Sequence, residues 1–262
     1  MARERIEPYA PREEDPWREL TRFTQARIGL GRAGSSLRPR ALLDFQLAHA
    51  RARDAVHHEL DAELLAGQLR ERGLDARILH SAASDRQTYI QRPDLGRILD
   101  DASATSLKSH PPASYDAVFI VADGLSARAI ERHAAALLDH VLPMLADAQW
   151  RLAPVCIVGQ GRVAIGDEIG ALLGARSSVI LIGERPGLSS PDSLGVYLTW
   201  DPLPGRTNAQ RNCISNIRAQ GLTYDLAAHK LFYLMTAARQ RRLSGVELKD
   251  EAPMLNDAPR QA

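Results

Sequence analysis

The stretch Asp116-Ala-Val-Phe-Ile-Val-Ala-Asp-Gly124 decides the fold class of this 262-residue chain. Seven residues that are almost all apolar, followed by Asp-Gly, are typical of a strand buried on both faces of a parallel sheet. The spacing of apolar residues after this strand predicts a helix over residues 126–142, with Pro143 near its end. The stretch therefore predicts one strand–helix unit of an α/β protein.

The same alternation continues on both sides of this unit. Similar runs predict further strands at residues 75–80, 154–158, 178–182 and 196–200. Helical spacing predicts helices at residues 164–173, 210–218 and 224–241, while residues 81–93 and 103–114 are predicted as loops around a short helix at 95–100. The alternation predicts a Rossmann-like, doubly wound, mostly parallel sheet, which binds ligands where its strands end.

The N-terminal part has a different pattern. Its first residues are rich in charge and proline and predict a flexible arm over residues 1–14. A short amphipathic helix is predicted from Trp17, and a long one from Pro39 to Arg72, where Gly73 ends it. We therefore expect an arm (1–14), a helical segment (15–74) and a Rossmann-like domain (75–262).

Composition excludes several classes of protein. The 33 basic and 32 acidic residues leave a formal charge of +1, which argues against a dedicated nucleic-acid binder. No apolar run is long enough to span a bilayer, and residues 1–8 contain no secretory h-region. Cys156 and Cys213 lie far apart, so neither a metal site nor a disulfide framework is expected. These features predict a cytoplasmic protein.

The sharpest motif is Gly159-Gln-Gly161-Arg-Val163-Ala164, which lies between a predicted strand and a predicted helix. It matches G-x-G-x-x-G/A, and Glu184 lies past the next strand, near where dinucleotide folds place a ribose-binding acid. One hypothesis is therefore an NAD-dependent oxidoreductase that uses Gly159, Gly161 and Glu184. The alternative is a tight turn that needs glycine but binds nothing.

Two later segments also follow predicted strands. Residues 182–195 form a long, polar, glycine-rich stretch, which is either a binding segment or a solvated loop. Residues 205–218 are crowded with amide, hydroxyl and guanidinium groups, which suit the carboxamides of a corrinoid. The alternative for this last segment is a polar surface helix capped by Thr207 or Asn208.

Taken in order, several segments resemble one family. They are Thr24-Gln-Ala-Arg-Ile-Gly-Leu-Gly-Arg-Ala-Gly34, Asp44-Phe-Gln-Leu-Ala-His-Ala-Arg-Ala-Arg-Asp-Ala-Val56, Ala122-Asp-Gly-Leu-Ser126, the loop from Gly159 to Gly166, and Arg211-Asn-Cys-Ile-Ser-Asn-Ile-Arg218. From about residue 15 to about residue 253, the chain resembles the small subunit of adenosylcobalamin-dependent ethanolamine ammonia-lyase.

The resemblance implies a larger TIM-barrel partner that holds the substrate and carries the catalytic residues. Adenosylcobalamin would lie between the two subunits, and radical chemistry would convert ethanolamine to acetaldehyde and ammonia. The family's cofactor contacts correspond to Val163, Glu184 and Cys213 of this chain. The resemblance also implies base-on binding, since no D-x-H-x-x-G motif occurs, and an assembly of six large and six small subunits.

Each of these contacts has an expected role. Val163 would offer backbone and apolar contact, Glu184 would accept a hydrogen bond, and Cys213 would pack against the cofactor. Some family members use the N-terminal region to enter a bacterial microcompartment, but residues 1–14 show no clear amphipathic helix.

Two other functions compete with this one: the oxidoreductase, and a corrinoid carrier without a catalytic partner. A large exposed apolar surface would favour the lyase subunit, because an obligate interface must be covered. A self-contained cleft with a proton donor would favour the dehydrogenase.

Overall fold

The structure, a computed structural model, describes residues 15–33, 35–111 and 113–252. It divides into two compact units, Met1–Arg51 and Ala52–Ala262. The domain limits predicted at residues 14 and 74 stay a prediction, and the predicted arm at 1–14 lies outside the described residues. No helix in the described ranges has both the length and the apolar character needed to cross a membrane.

The first unit is made of short elements. A 3-10 helix at Pro16–Arg22 begins at Asp15, whose side chain accepts a hydrogen bond from the Trp17 N–H. Two two-residue strands, β1 (Arg32–Ala33) and β2 (Ser36–Leu37), pair antiparallel. The predicted short helix from Trp17 is therefore present as a 3-10 helix.

The long predicted helix is two helices, α1 (Pro39–His57) and α2 (Ala62–Glu71), so the prediction of one helix over residues 39–72 was wrong. The break comes at Asp61, whose carboxylate caps α2 by accepting a hydrogen bond of 2.9 Å from the Leu64 N–H. Such a cap competes with continuation of the helix and starts a new one.

The second unit contains a six-stranded sheet in the order β3-β5-β4-β6-β7-β8. Its strands are β3 (Ala76–His80), β4 (Val118–Ala122), β5 (Val155–Gly159), β6 (Ser177–Gly183), β7 (Leu194–Trp200) and β8 (Arg211–Ile217). The first four strands in this order are parallel, and β7 pairs antiparallel with both of its neighbours, β6 and β8. The predicted α/β fold with a mostly parallel sheet is thus confirmed.

Helices cover both faces of this sheet. They are α3 (Arg86–Gln91), α4 (Asp101–Lys108), α5 (Ala127–Asp147), α6 (Ile165–Leu173) and α7 (Tyr224–Arg241). One apolar core lies between the sheet and helices α2, α5 and α7, and a second lies between the other face and helices α4 and α6. Three layers of this kind bury both faces of the central strands.

Four predictions about helices and loops need correction. Residues 81–93 and 103–114 were predicted as loops, but they contain α3 and α4, each capped by an aspartate, Asp85 and Asp100. Both helices are short and mostly polar, so they lack the apolar periodicity that identifies a helix. The helix predicted at residues 95–100 is only a 3-10 turn, Leu95–Arg97, and α5 continues past Pro143 to Asp147.

The segment predicted as a helix at residues 210–218 is strand β8, so this prediction was also wrong. A β-bulge explains the error. Val196 pairs with Ile214 and Leu194 with Ile217, so one strand has an extra residue, and Asn216 has a left-handed φ of 59°. The bulge therefore buries two isoleucines that are three residues apart, and that spacing imitates the period of a helix.

Candidate functional site

A groove of about 380 Å³ lies where strands β4, β5 and β6 end. Its lining combines apolar, aromatic and charged side chains: Tyr89, Gly124, Leu125, Arg162, Val163, Ile182, Gly183, Glu184, Arg185 and Tyr197. Ligands of open α/β sheets bind at the carboxyl ends of the strands. The usual place is the crevice where the chain connections of two neighbouring strands lead to opposite sides of the sheet. The groove is therefore the candidate binding site.

The glycine loop after β5 forms one wall of the groove. Gln160 has a left-handed φ of 57°, and the Gly161 N–H donates a hydrogen bond of 3.0 Å to the Asp123 carboxylate. A Cβ at Gly161 would lie 2.9 Å from the Cβ of Ala122, so only glycine permits this close packing of loop against strand. The glycine pattern thus has a clear structural cause.

A buried ion pair of Arg86 and Asp123 fixes the floor beside the groove. The Arg86 Nη1 atom lies 3.3 Å from the Asp123 carboxylate and donates to the Gly124 carbonyl at 2.8 Å, while Nε donates to the Val56 carbonyl at 2.6 Å. Arg86 joins the end of α1 to the ends of the central strands. Sequence reasoning missed it because it was assigned to a loop and no motif surrounds it.

The ionisation of Asp123 is expected to make stability depend on pH. Burial raises the pKa of Asp123 to about 6, against the effect of Arg86 and of backbone N–H donors. An unfolded aspartate has a pKa of about 3.9, so the folded state holds the proton more tightly. The contribution of Asp123 to stability is therefore complete below about pH 4 and is lost as the pH rises through about 6.

Urea unfolding of the wild type and of Asp123→Asn between pH 4.5 and 7.5 measures this effect. The stability of the wild type relative to Asp123→Asn is expected to fall as the pH rises. At Asp116, burial also acts to raise the pKa, but hydrogen bonds from Arg151 outweigh it and lower the pKa. Asp116→Asn is the matched control, since the lowered pKa of Asp116 keeps its contribution constant over this pH range and that contribution is lost only at lower pH. A pH-independent difference for Asp123→Asn would contradict the assignment.

Val163 is half-buried in the groove wall, directly after Arg162. The Arg162 guanidinium stacks 4.3 Å from the centre of the Tyr89 ring and donates to the Tyr89 carbonyl at 3.0 Å. Its Nε atom is buried and has no hydrogen-bond partner among the described residues. Buried donors are nearly always satisfied, so this atom is a candidate partner for a ligand.

Glu184 follows β6, and its hydrogen bonds connect three segments at the edge of the groove. Its carboxylate accepts a hydrogen bond of 2.6 Å from the Ser193 hydroxyl and bonds of 3.3 Å from the Asn216 N–H. Asn216 is the bulge residue of β8, so Glu184 stabilises that bulge. A carboxylate has about four acceptor positions, and these contacts leave capacity for a further donor.

Cys213 lies on β8 opposite Tyr197, which lines the groove. Cys213 is an exposed residue, yet partial desolvation is the largest cause that raises the pKa of its thiol, and desolvation also raises the pKa of the Tyr197 phenol. The hydrogen bond from Tyr197 acts in the opposite direction on Cys213 but does not reverse the shift. The thiol is therefore protonated near neutral pH and is suited to packing, not to nucleophilic attack.

The structure thus brings Val163 and Glu184 to one groove and places Cys213 beside it through Tyr197. Sequence reasoning named these three residues but missed Tyr197, which is indistinguishable in the sequence from a core residue of an apolar strand. Only the antiparallel register of β7 and β8 identifies it as the neighbour of Cys213.

The local geometry does not favour NAD as the ligand. A dinucleotide site presents free N–H groups of the glycine loop and of the next helix to a pyrophosphate. Here the Gly161 N–H donates to the Asp123 carboxylate, so this donor is not free for a phosphate. Among the described residues, no cluster of three His, Cys, Asp or Glu side chains could hold a metal ion.

The fold and the groove define a Rossmann-like α/β protein with a candidate binding site at the carboxyl edge of its sheet. The family model "Ethanolamine ammonia-lyase light chain (EutC)" matches residues 14–249. The chain belongs to this family, the small subunits of ethanolamine ammonia-lyase, as the sequence resemblance had predicted.

Curated relatives agree with this assignment. The ethanolamine ammonia-lyase small subunit of Azotobacter vinelandii strain DJ is 59% identical over 246 residues, covering 93% of this chain and 91% of the relative. The protein of the same name from Pseudomonas fluorescens strain Pf0-1 is 58% identical over 242 residues, covering 91% and 88%. That of Pseudomonas paraeruginosa strain PA7 is 57% identical over 254 residues, covering 94% and 93%. Members of a carbon–nitrogen lyase family thus match nearly the whole chain.

Proposed function

We propose that this chain binds adenosylcobalamin in the groove at the ends of β4, β5 and β6, at its interface with a large catalytic subunit. The observation that carries the proposal is the meeting of Val163, Glu184 and the Tyr197–Cys213 pair around one groove. Val163 follows β5, Glu184 follows β6, and Tyr197 and Cys213 lie on β7 and β8. Family membership supplies the expectation of a larger partner chain.

The donors and acceptors of the groove suit a corrinoid. A corrin ring is apolar across its face and carries carboxamides around its rim, each both a donor and an acceptor. Val163, Ile182 and Tyr197 offer apolar and aromatic contact. Glu184 has acceptor capacity for an amide N–H, and the unpartnered Nε of Arg162 is a donor for an amide oxygen.

The residues of this chain act in binding and positioning. Val163 packs against the cofactor through its side chain and backbone, Glu184 accepts a hydrogen bond, and Cys213 packs as a protonated thiol. When bound, adenosylcobalamin supplies radical chemistry, by homolysis of its cobalt–carbon bond, to the conversion of ethanolamine into acetaldehyde and ammonia. The catalytic residues belong to the large TIM-barrel subunit, so this chain is active only in the complex.

Several finer features belong to the same proposal. The cofactor would bind base-on, because this chain has no D-x-H-x-x-G motif whose histidine could replace the cofactor's own dimethylbenzimidazole. The complex contains six large and six small subunits. It works in the cytoplasm or within a bacterial microcompartment, and residues 1–14, where an encapsulation signal is expected, lie outside the described residues.

Co-purification with the candidate large subunit tests the function. The visible spectrum of the purified pair should show a retained corrinoid, and ethanolamine should release ammonia. The small chain alone should neither turn over ethanolamine nor bind NAD tightly. Absence of a corrinoid from the pair, together with tight NAD binding by this chain alone, would replace the proposal with the oxidoreductase.

Glu184→Ala is expected to weaken cobalamin binding by the complex about 10- to 100-fold, since a hydrogen bond to a charged group contributes about 1.5–3 kcal/mol. Glu184→Gln keeps one acceptor and should lose less. Cobalamin titration of the complex measures both, and Glu63→Ala, which removes an exposed acid of α2, is the matched control. Smaller losses are expected for Val163→Ala and Cys213→Ala. Wild-type affinity in all three alanine variants would rule out these residues as cofactor contacts.

A further inference from the structure

The N-terminal unit exposes an unusual amount of apolar surface. Eight of the sixteen exposed large apolar residues in the described part of the chain lie within residues 15–51. They are Trp17, Leu20, Phe23, Leu37, Leu42, Leu43, Phe45 and Leu47. No described residue of this segment is buried, so the described residues of the segment form no core among themselves that would explain these side chains.

Helix α1 shows the same feature in regular structure. It is 19 residues long, yet only Ala55 of its residues is buried. Leu43 and Leu47 are 63% and 50% exposed and lie one turn apart, so they share a face of the helix. An α-helix of this length in water is stabilised mainly by packing of its apolar face, which here has no partner within the described chain.

The charge of the same segment is strongly one-sided. Residues 15–51 contain seven arginines and only three acids, Asp15, Glu19 and Asp44, while the whole chain has a formal charge of +1. The remaining residues are therefore net acidic. Arginines also lie beside the exposed rings, with Arg22 4.9 Å from the centre of the Phe23 ring and Arg27 6.0 Å from that of Phe45.

This charge argues against a symmetric dimer as the occupant of the apolar surface. A symmetric contact with a second copy would bring the same basic surface against itself, and like charges at an interface are repulsive. A different protein with an acidic rim around apolar pockets avoids that cost. Apolar anchors mixed with arginine are also the composition of interface hot spots.

We infer that residues 15–51 form a docking segment for an acidic, partly apolar surface of the large subunit. The inference rests on the proposed function for the existence of that partner. It adds the place of contact on this chain and the chemistry of the partner's surface. Exposed apolar surface of this size is what an obligate interface covers, and it favours the lyase subunit over a self-contained dehydrogenase.

Leu43→Asp tests the docking segment, because it removes an apolar anchor and adds a negative charge facing an acidic partner. Val246→Asp is the matched control, since Val246 is 64% exposed, as Leu43 is at 63%, but lies in the other unit. The dissociation constant of each full-length variant for the large subunit is measured by titration in 0.05 M and 0.5 M sodium chloride. Circular dichroism and the unfolding midpoint verify that each variant is folded.

We expect Leu43→Asp to weaken association at least tenfold, Val246→Asp to have no effect, and higher salt to weaken the wild-type complex. The docking segment is overturned if Leu43→Asp binds the large subunit as tightly as the wild type does. The proposed function is left intact by that result if the pair still retains corrinoid and releases ammonia. A wild-type pair that neither associates nor retains corrinoid counts against the proposed function itself.

Two further outcomes would assign the surface elsewhere. If the isolated chain is a dimer by sedimentation and Leu43→Asp makes it a monomer, the occupant is a second copy. If the isolated chain pellets with anionic lipid vesicles and Leu43→Asp does not, the segment binds a membrane surface. Either result overturns the inference.

Discussion

Arg211→Met is expected to lower the free energy of unfolding by about 3–5 kcal/mol, the usual cost of leaving one partner of a buried ion pair uncompensated. Arg211, the first residue of β8, donates two hydrogen bonds of 2.6 Å to the carboxylate of Asp167 in the first turn of α6. Only 3% and 2% of these side chains are exposed. The substitution would leave the Asp167 carboxylate buried without its cation.

The Arg211 guanidinium also donates hydrogen bonds to two neighbouring segments. It donates to the Thr199 hydroxyl and to the Arg206 carbonyl, each at 2.9 Å. Loss of Arg211 therefore frees the start of β8 from β7 and from the turn before it. Since the proposed contact Cys213 lies two residues further along β8, we also expect weaker cobalamin binding by the complex.

Urea unfolding followed by circular dichroism measures the loss. Arg92→Met is the matched control, because Arg92 and Asp94 form an ion pair of 2.6 Å that is about 60% exposed, and solvent screens such a pair so that its loss changes stability little. The double variant Asp167→Leu with Arg211→Met should recover much of the loss, since it leaves no unpaired charge. A loss for Arg211→Met no larger than that for Arg92→Met would show that the buried pair is not important for stability.

Gly183→Ala is expected to destabilise the chain by about 3 kcal/mol and to abolish corrinoid retention by the complex. A Cβ at Gly183 would lie 2.1 Å from the Ser126 carbonyl oxygen and 2.6 Å from that of Asp123. Both are main-chain atoms, so no side-chain rotation can relieve the overlap. The end of β6 would have to move away from β4, and Gly183 is part of the groove wall.

Gly67→Ala provides the contrast for this prediction. Gly67 lies inside α2, and nothing is within 4 Å of a Cβ at that position. Alanine is a better helix former than glycine, so this variant should be more stable by about 0.5–1 kcal/mol and should retain corrinoid normally. Thermal unfolding and the visible spectrum of each complex compare the two variants. Normal stability and corrinoid content for Gly183→Ala would contradict the tight packing at the end of β6.

Much of the fold could be predicted because its signals are local. The predicted strands at residues 154–158, 178–182 and 196–200 agree with β5, β6 and β7 to within two residues, and α6 and α7 agree equally well. Apolar runs identify strands buried on both faces, and helical spacing identifies amphipathic helices. These patterns depend only on neighbouring residues.

The errors occurred where distant residues determine the structure. Strand β8 imitates a helix because its bulge at Asn216 buries Ile214 and Ile217 on one face, and the Glu184 carboxylate, 32 residues away, bonds to the bulge N–H. Helices α3 and α4 are short and polar, so no periodicity marks them. Their aspartate caps were present in the sequence, but a cap alone does not separate a helix from a turn.

The residues of the candidate site also fall into two groups, those that the sequence indicated and those that only the structure identified. Residue patterns after predicted strands indicated three segments, and the family resemblance then implied one contact in each of them, Val163, Glu184 and Cys213. Arg86, which joins Asp123, Gly124 and the end of α1, gave no signal, because a lone arginine in a polar segment is normally solvated. The contact of Tyr197 with Cys213 likewise depends on strand register.

The sequence by itself determined the α/β class, the segments at which the central strands end and the family, since apolar period, turn residues and family motifs are all written along the chain. Only the tertiary structure decided the strand order, the pairing of Arg211 with Asp167 and of Arg86 with Asp123, and the meeting of three loops at one groove. The physical reason is that backbone hydrogen bonding gives each element a local period, whereas buried charges find partners only when the packed core brings distant segments together.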